Sequence, residues 1–249
     1  MILANTIKQA SQFLKKHNVC SHELDAEIIL SNIMGVTKEF LIVNNHIEIS
    51  KEIRKKYSYA IKRRINKEPV AYITGKKEFW SEDFIVNDAT LIPRPETEII
   101  IEIVKDKTFK NALDIGTGSG NIAIILSLQK VAKNILAIDI SKEALNVAKK
   151  NIQKFNISNI TLKCIDFLNV KIDKKFDLIV GNPPYISSDD YKNLPETIKK
   201  YEPKIALTDL NDGYKFYRYI ADNFNSFINK NGIMLLEIGL ENMKSNINE

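Results

Sequence analysis

The stretch that decides the fold is "NALDIGTGSGN" (residues 111–121), in which an apolar run leads into a loop with three glycines. Gly116, Gly118 and Gly120 let the backbone turn tightly and approach a ligand closely. The apolar run before the loop predicts a buried strand, and "NIAIILSLQK" after it predicts a helix. A strand, a glycine-rich turn and a helix in this order are typical of a Rossmann-like α/β fold.

The rest of the second half of the chain repeats this alternation. From about residue 96, helical patterns alternate with four more apolar, β-rich runs: "NILAIDI", "ITLKCID", "FDLIVGN" and "GIMLLEIG". Alternating helices and strands predict a mainly parallel sheet that is covered by helices on both faces.

The first part of the chain has a different pattern. Residues 1–70 show apolar residues at helical spacing, with Ser21 and Ser50 as predicted N-caps and Gly35 as a predicted stop. These residues therefore predict a helical bundle domain. Residues 71–95 mix aromatic, β-branched and turn-forming residues, which predicts a β-hairpin linker with turns at Gly75 and "VNDAT".

The composition is that of a globular protein with a core. The chain has 249 residues, of which 44% are hydrophobic and 27% charged, and no apolar run is long enough to cross a membrane. Its two cysteines, Cys20 and Cys164, lie far apart, which argues against a disulfide framework or a zinc site and fits a reducing cytoplasm. A net charge of +5 is weak evidence for nucleic-acid binding, and we expect no stable nucleic-acid complex.

The glycine loop favours one nucleotide cofactor over another. A dinucleotide-binding loop reads G-x-G-x-x-G and would place its third glycine at position 121, where this chain has Asn121. Asp114, two residues before the first glycine, would repel a pyrophosphate but can pair with an ammonium group. Both features favour S-adenosylmethionine over NAD, because its amino-acid end is a zwitterion and it carries no phosphate.

Acidic residues also end the next two strands. Asp139 can accept hydrogen bonds from both ribose hydroxyls. Asp166 and Phe167 can accept from the adenine amine and stack on its ring, although an ordinary turn and core pair explains these two residues equally well. Open α/β sheets bind ligands at the carboxyl edge of their strands. The predicted cofactor site comprises Gly116, Thr117, Gly118, Ser119, Gly120, Asp139, Asp166, Phe167 and Asn182.

"GNPPY" (residues 181–185) follows the fourth strand at the same edge. Pro184 restricts Pro183 to an extended backbone, and both prolines lack an N–H, so the turn presents carbonyl oxygens. Asn182 Oδ1 and the Pro183 carbonyl can accept both hydrogens of a planar –NH2 group while Tyr185 lies against its π system. Such a site suits a carboxamide or an exocyclic base amine held in line with a sulfonium methyl group. We predict Asn182, Pro183 and Tyr185 as catalytic, Asn182 to Tyr185 as substrate-binding, and no metal.

Further motifs stand in a fixed order around these two: "LIPRPETE" (91–98), "AIDIS", "YEPKIAL" (201–207) and "LLEIG". Over nearly its whole length the chain thus resembles the HemK/PrmC family of protein-(glutamine-N5) methyltransferases. The resemblance implies a substrate-docking helical domain (1–70), a hairpin linker (71–95) and a class I S-adenosylmethionine-dependent methyltransferase domain (96–249). It also implies that Arg94 and Glu98 shape the cofactor pocket, although Arg94 fits a structural ion pair as well.

The function that this resemblance implies is methylation of the glutamine in the Gly-Gly-Gln loop of class I peptide chain release factors, with S-adenosylhomocysteine as the product. One alternative is an adenine-N6 methyltransferase acting on RNA or DNA, which also uses NPPY. Residues 1–70 supply basic residues but little aromatic interleaving for that role. A non-catalytic binding module that keeps the fold is the second alternative.

The end of the sequence departs from the family. The family continues past "LLEIG" with a helix and two more strands, whereas this sequence ends at Glu249, ten residues after Gly239. The methyltransferase domain would then lack its usual C-terminal strands, and "LLEIG" would be an apolar sheet edge, which favours aggregation. We expect a fragment of a longer chain, with a partner covering the edge as the alternative.

Overall fold

The computed structural model of the chain describes residues 2–170, 172 and 174–239. The chain divides into two compact units, residues 1–75 and residues 76–249. The first unit contains, within its described residues, the helices α1 (Leu3–Lys16), α2 (His22–Met34), α3 (Lys38–Val43), α4 (Lys51–Ile65) and α5 (Val70–Thr74). Their shared core is apolar and includes Leu3, Leu14, Ile29, Leu30, Leu41 and Ile61.

The caps of the first unit follow the sequence prediction with one exception. The Ser50 hydroxyl accepts a hydrogen bond from the Ile53 N–H, and Gly35 ends α2 in the left-handed region. Ser21 stands at the start of α2, but its hydroxyl does not cap the helix. It donates instead to the buried carboxylate of Asp25, which also accepts from Arg64 at 2.7 Å. A buried carboxylate requires donors, and this requirement outweighs the cap.

The helical unit extends five residues further than we predicted. Helix α5 contributes the buried Tyr72 and ends at Gly75, whose φ is +74°. Val70 and Ile73 pack against the core of the unit, so burial includes this segment in the bundle rather than in a linker.

The predicted hairpin is present, but its turn lies elsewhere. Strands β1 (Lys76–Phe79) and β2 (Glu82–Ile85) pair antiparallel through a two-residue turn at Trp80 and Ser81. Both turn residues have positive φ, 54° and 61°, as the twist of two-residue hairpins requires. Gly75 is a helix cap instead, and "VNDAT" forms a separate turn after the hairpin, closed by a bond from the Thr90 N–H to the Asn87 carbonyl.

The second unit confirms the predicted fold class. Among its described residues, five strands form a parallel sheet in the order β5-β4-β3-β6-β7. The strands are β3 (Phe109–Ile115), β4 (Ala132–Asp139), β5 (Ile160–Cys164), β6 (Phe176–Gly181) and β7 (Ile228–Leu236). A 3-10 turn (Pro95–Thr97) precedes the helices α6 (Glu98–Val104), α7 (Asn121–Leu128), α8 (Lys142–Lys154), α9 (Ser188–Asn193), α10 (Glu196–Tyr201), α11 (Lys204–Leu207) and α12 (Lys215–Phe227).

Both faces of the sheet are covered. Leu178 and Val180 of β6 belong to one core cluster, whereas Ile179 between them belongs to another. Alternate residues of a strand point to opposite faces, so apolar residues at successive positions indicate burial on both sides. Because all five strands run in the same direction, the loops after β3, β4, β5 and β6 meet at one edge.

Strand β7 ends with Leu235 and Leu236, the first two residues of "LLEIG", and pairs with β6, so it is an edge strand within the described part of the sheet. Our expectation about the strands that follow concerns residues 240–249 and beyond, which lie outside the described residues. Among the helices that the structure describes, none is both long and apolar enough to cross a membrane.

Candidate active site

A cavity of about 480 Å³ opens at the carboxyl edge of the sheet. This volume lies within the range of pockets for small molecules and cofactors. Most of the predicted site residues line it together: Gly116, Thr117, Gly118, Ser119, Asp139, Asp166, Phe167, Asn182, Pro183 and Pro184. Gly120 and Tyr185 are not part of its wall. The structure thus brings the two motifs to one place, and the ligand that each residue contacts stays a prediction.

The glycine loop leaves open space in front of it. Gly116 and Gly118 have φ values of 69° and 53°, which favour glycine, and a Cβ atom on Gly116 would meet no atom within 4 Å. The loop is fixed from behind by Asp139, which accepts from the Gly118 N–H and the Ser141 N–H, each at 2.9 Å. Burial raises the pKa of Asp139, while these N–H donors oppose the shift.

Gly120 packs closely against neighbouring side chains, and its cofactor contact stays a prediction. It begins α7 with a φ of +82°, and a Cβ atom there would lie 3.3 Å from Ala148 Cβ and Ile124 Cδ1. The absence of a side chain lets the start of α7 approach α8 closely.

Asp114 lies beneath the loop and not on the cavity wall. Its side chain is fully buried and accepts a hydrogen bond of 2.6 Å from the Thr117 hydroxyl. Burial raises the pKa of Asp114 to about 7, and the nearby Asp139 adds to the shift. The pairing with a ligand ammonium group that we expected would need a ligand that penetrates below the loop, so the structure does not support a direct contact.

Asp166 and Phe167 border the cavity but already have protein partners. The Asp166 carboxylate accepts from the Leu168 N–H at 3.1 Å and from Asn169 Nδ2 at 2.7 Å. Phe167 is 4% exposed, and its ring centroid lies 5.4 Å from that of Tyr219 in an edge-to-face arrangement. The turn-and-core interpretation describes these contacts fully, and the proposed adenine contacts stay predictions.

The NPPY turn is set by the end of β6. Gly181 pairs with Ile115 and Leu236, and a Cβ atom on Gly181 would lie 2.9 Å from the Ile115 carbonyl oxygen. This close packing places Asn182 and the buried Pro183 on the cavity wall. Asn182 Nδ2 donates to Thr97 Oγ1 at 3.4 Å, which leaves Oδ1 as the accepting side of the amide.

Tyr185 is held at the back of the turn. Its hydroxyl donates to Glu237 Oε1 at 3.3 Å. Burial and the neighbouring Glu237 raise the pKa of Tyr185 to about 12, so the phenol stays protonated at neutral pH. Stacking of its ring against a substrate amide stays a prediction.

Two family models match this chain, the PrmC N-terminal domain over residues 5–75 and the methyltransferase small domain over residues 95–200. The chain is 37% identical to a release factor glutamine methyltransferase of Buchnera aphidicola subsp. Baizongia pistaciae, over 96% of this chain and 87% of that protein. A release factor glutamine methyltransferase of Clostridium acetobutylicum is 38% identical, over 100% and 90%. The chain belongs to the release factor glutamine methyltransferase family.

Other similar proteins are longer than this chain or match only part of it. A bifunctional methyltransferase of Rickettsia conorii is 33% identical, over 94% of this chain but 50% of that protein. Among solved structures, an S-adenosylmethionine-dependent methyltransferase from Clostridium acetobutylicum ATCC 824 is 24% identical, covers 57% of this chain and 48% of its own, and has a TM-score of 0.37. The fold class rests on the strand order and the family membership rather than on this structural match.

Thr97 and Glu237 are residues of this family member that the sequence interpretation missed. The Thr97 hydroxyl donates to Glu237 Oε2 at 2.6 Å, and the Tyr217 hydroxyl donates to the Glu237 carbonyl at 2.7 Å. Both residues lie within quoted motifs, "LIPRPETE" and "LLEIG", but neither motif reveals that the two meet. The sequence pointed to Thr97 and Glu237 only through their positions inside family motifs that had no other explanation.

The structure separates the two residues singled out in "LIPRPETE". Arg94 Nη2 donates to both carboxylate oxygens of the buried Glu202, at 2.7 and 2.8 Å, so it forms the structural ion pair and also borders the cavity. Glu98 accepts from the Trp80 N–H at 2.8 Å and does not line the cavity. Glu98 therefore holds the hairpin turn, and a role of Glu98 in shaping the pocket stays a prediction.

No group of three or more His, Cys, Asp or Glu residues that could hold a metal ion occurs in the part of the chain that the structure describes.

Proposed function

We propose that the protein transfers the methyl group of S-adenosylmethionine to the side-chain amide nitrogen of a glutamine, in the Gly-Gly-Gln loop of class I peptide chain release factors. The observation that carries the proposal is the placement of Asn182 and Pro183 on the wall of the cavity that the glycine loop and Asp139 also line. The names of the related proteins, release factor glutamine methyltransferases, support this substrate.

The residues of the cavity fit S-adenosylmethionine. The open space in front of Gly116 leaves room for a ligand to contact the backbone of the loop. Asp139 supplies a carboxylate at the end of its strand, where folds of this class bind ribose hydroxyls. Phe167 supplies an apolar wall for the base, and Asp166 supplies an acceptor beside it. When bound, the cofactor supplies an electrophilic methyl group on a sulfonium centre.

The NPPY turn provides what an amide nucleophile needs. A carboxamide nitrogen is a poor nucleophile because its lone pair is delocalised into the carbonyl group. Asn182 Oδ1 and the Pro183 carbonyl would accept its two hydrogens, which fixes the nitrogen in position and increases its electron density. The new N–C bond would form as the S–C bond breaks, the amide would then lose its proton to solvent, and S-adenosylhomocysteine would be the second product. The chemistry therefore requires no strong base.

Two further parts belong to the same proposal. The helical unit of residues 1–75 would dock the release factor, which accords with its match to the PrmC N-terminal domain. The protein would act in the cytoplasm, in keeping with Cys20 and Cys164, which are both exposed free thiols.

The test incubates the protein with labelled S-adenosylmethionine and, in separate reactions, a cognate release factor, total RNA and DNA. We expect label on the release factor alone, with one methyl group on the glutamine of the Gly-Gly-Gln loop by mass spectrometry. Label on nucleic acid and none on the release factor would contradict the proposal and favour the adenine-N6 alternative. A release factor whose loop glutamine is replaced by alanine is the matched control and should stay unlabelled.

A further inference from the structure

A chain of hydrogen bonds connects Glu237 to Asn182 through Thr97. Asn182 Nδ2 donates to Thr97 Oγ1 at 3.4 Å, and Thr97 Oγ1 donates to Glu237 Oε2 at 2.6 Å. Thr97 is 3% exposed and borders the cavity. The three side chains come from the 3-10 turn, the end of β6 and the end of β7, so folding of the second unit assembles the chain.

The direction of these bonds is fixed by the hydroxyl of Thr97. A hydroxyl has one hydrogen, and Thr97 commits it to the Glu237 carboxylate in a short bond. Its oxygen can then only accept from Asn182, so the amide must present Nδ2 to Thr97. If the Thr97 hydrogen were free, it could donate to Asn182 Oδ1, and the amide could turn by 180° at little cost.

The orientation of the Asn182 amide decides whether the site can bind the carboxamide that accepts the methyl group. A carboxamide –NH2 group offers two donors and needs acceptors opposite it. With its Oδ1 towards the cavity, the Asn182 amide supplies one of these acceptors. A turned amide would instead place its own N–H groups opposite those of the substrate and leave buried donors unpaired. A mechanism that fixes the amide orientation is therefore part of the site.

Glu237 is itself held in place by hydrogen bonds of its main chain. Its N–H donates to the Gly181 carbonyl at 3.0 Å, directly before Asn182, and its carbonyl accepts from Tyr217. Its second carboxylate oxygen accepts from Tyr185 at 3.3 Å. One carboxylate thus holds both ends of the segment from Asn182 to Tyr185.

We propose that Thr97 and Glu237 are positioning residues that orient the Asn182 amide with its oxygen towards the acceptor glutamine. The inference rests on the proposed function and extends it to two residues outside NPPY. Neither residue needs to touch the substrate, since both act through Asn182.

The first test compares Thr97→Val with Thr97→Ser. Valine keeps the shape and removes the hydroxyl, so we expect kcat on the release factor to fall on the order of 10- to 100-fold. The KM for the release factor and the Kd for S-adenosylmethionine, measured by calorimetry, should stay within about 2-fold, because the cavity is intact. Serine restores the hydroxyl and should recover most of the turnover.

The second test adds Glu237→Gln and the double variant. The glutamine amide can donate to Thr97, which frees the Thr97 hydrogen for Asn182 Oδ1 and favours the wrong orientation. Glu237→Gln should therefore lower kcat about as much as Thr97→Val, again with cofactor affinity retained. The double variant should be little worse than Thr97→Val alone, since Glu237 acts on Asn182 through Thr97.

These outcomes separate the inference from the proposed function. If the wild-type protein methylates no release factor, the proposed function is wrong and the inference is wrong with it. If the wild type is active but kcat is unchanged in Thr97→Val and Glu237→Gln, the inference alone is wrong. Multiplicative losses in the double variant, or no recovery by Thr97→Ser, would also overturn it. Should Thr97→Val not fold, Thr97→Ser and Glu237→Gln decide the question by the same kcat criterion.

Discussion

The two sides of the cavity are held together by different kinds of contact. On the glycine-loop side, the bonds join residues close in sequence: Thr117 and Asp114 are 3 residues apart, and Gly118 and Asp139 are 21 apart. On the NPPY side, the bonds join distant residues: Asn182 and Thr97 are 85 residues apart, and Thr97 and Glu237 are 140 apart. One side is therefore built by a single β-α-β unit, whereas the other depends on the whole second unit being folded.

This difference predicts that the two sides fail in different ways. Changes on the glycine-loop side should appear mainly in cofactor affinity and in local stability. Changes on the NPPY side should appear in turnover and in the stability of the whole second unit.

The largest effect is expected for Asn182→Ala. Loss of the amide removes one of two acceptors for the substrate –NH2 group, so turnover should fall on the order of 10²- to 10³-fold. Cofactor affinity should change little, and calorimetry with S-adenosylmethionine checks this. Asn134→Ala, an exposed asparagine at the opposite end of β4, is the matched control and should keep normal turnover. Near-normal turnover of Asn182→Ala would contradict the assigned role of the NPPY turn.

Asp114→Asn tests the buried carboxyl group below the glycine loop. Its pKa is about 7 in the folded protein and about 3.9 when unfolded, so the folded state holds a proton that the unfolded state releases. Stability from this group is full below about pH 4 and is lost as the pH rises through 7.

The free energy of unfolding of the wild type should therefore fall, relative to Asp114→Asn, by on the order of 2–4 kcal/mol between pH 4 and pH 8. Urea unfolding of the ligand-free proteins at a series of pH values measures the difference. Asp88→Asn, at an exposed position, controls for the loss of one negative charge. A difference between wild type and Asp114→Asn that does not vary with pH would disprove the raised pKa.

Arg94→Met tests the long-range ion pair on the NPPY side. The buried Glu202 carboxylate would keep the Ile92 N–H as a donor but lose both bonds to Arg94. The free energy of unfolding should fall by about 2 kcal/mol, and adding Glu202→Gln should recover part of the loss.

Arg218→Met is the control for this pair, because Arg218 and its partner Asp212 are both exposed. Its effect should be small. Equal losses for the two arginine variants would show that the Arg94 pair contributes no more than a surface ion pair.

The smallest effect in free energy is expected for Asp139→Ala. The carboxylate fixes the Gly118 N–H and is the predicted ribose acceptor, so the Kd for S-adenosylmethionine should rise about 10-fold. At saturating cofactor, kcat should stay within a few-fold of the wild type, unlike that of Asn182→Ala. If Asp139→Ala lowers kcat and leaves the Kd unchanged, the division of the cavity into two sides is wrong.

The sequence predicted those features that depend on neighbouring residues. The parallel sheet, the glycine loop, the Ser50 cap and the position of NPPY at a strand end all follow from local patterns and spacing. Gly120 shows the limit of such reasoning, because its role depends on Ala148 of the next helix. Trp80 and Ser81 form the hairpin turn although neither is a typical residue for positive φ, and Glu98 compensates by accepting the Trp80 N–H.

The partners of the NPPY turn could not be predicted in this way. Thr97, Glu202 and Glu237 become important only when the chain brings together segments that are far apart in sequence. No periodicity or capping rule relates such segments, so the sequence alone does not explain why these motifs occur. The structure gives each motif a partner: "LIPRPETE" meets both "YEPKIAL" and "LLEIG".

The most direct test of the account is the site of methyl transfer, read by tandem mass spectrometry of a release factor after incubation with the wild-type protein and S-adenosylmethionine. We predict one added methyl group on the side-chain amide of the Gly-Gly-Gln glutamine, and its loss with Asn182→Ala. A methyl group on any other residue, or an unmodified release factor under conditions where the protein binds the cofactor, would contradict it.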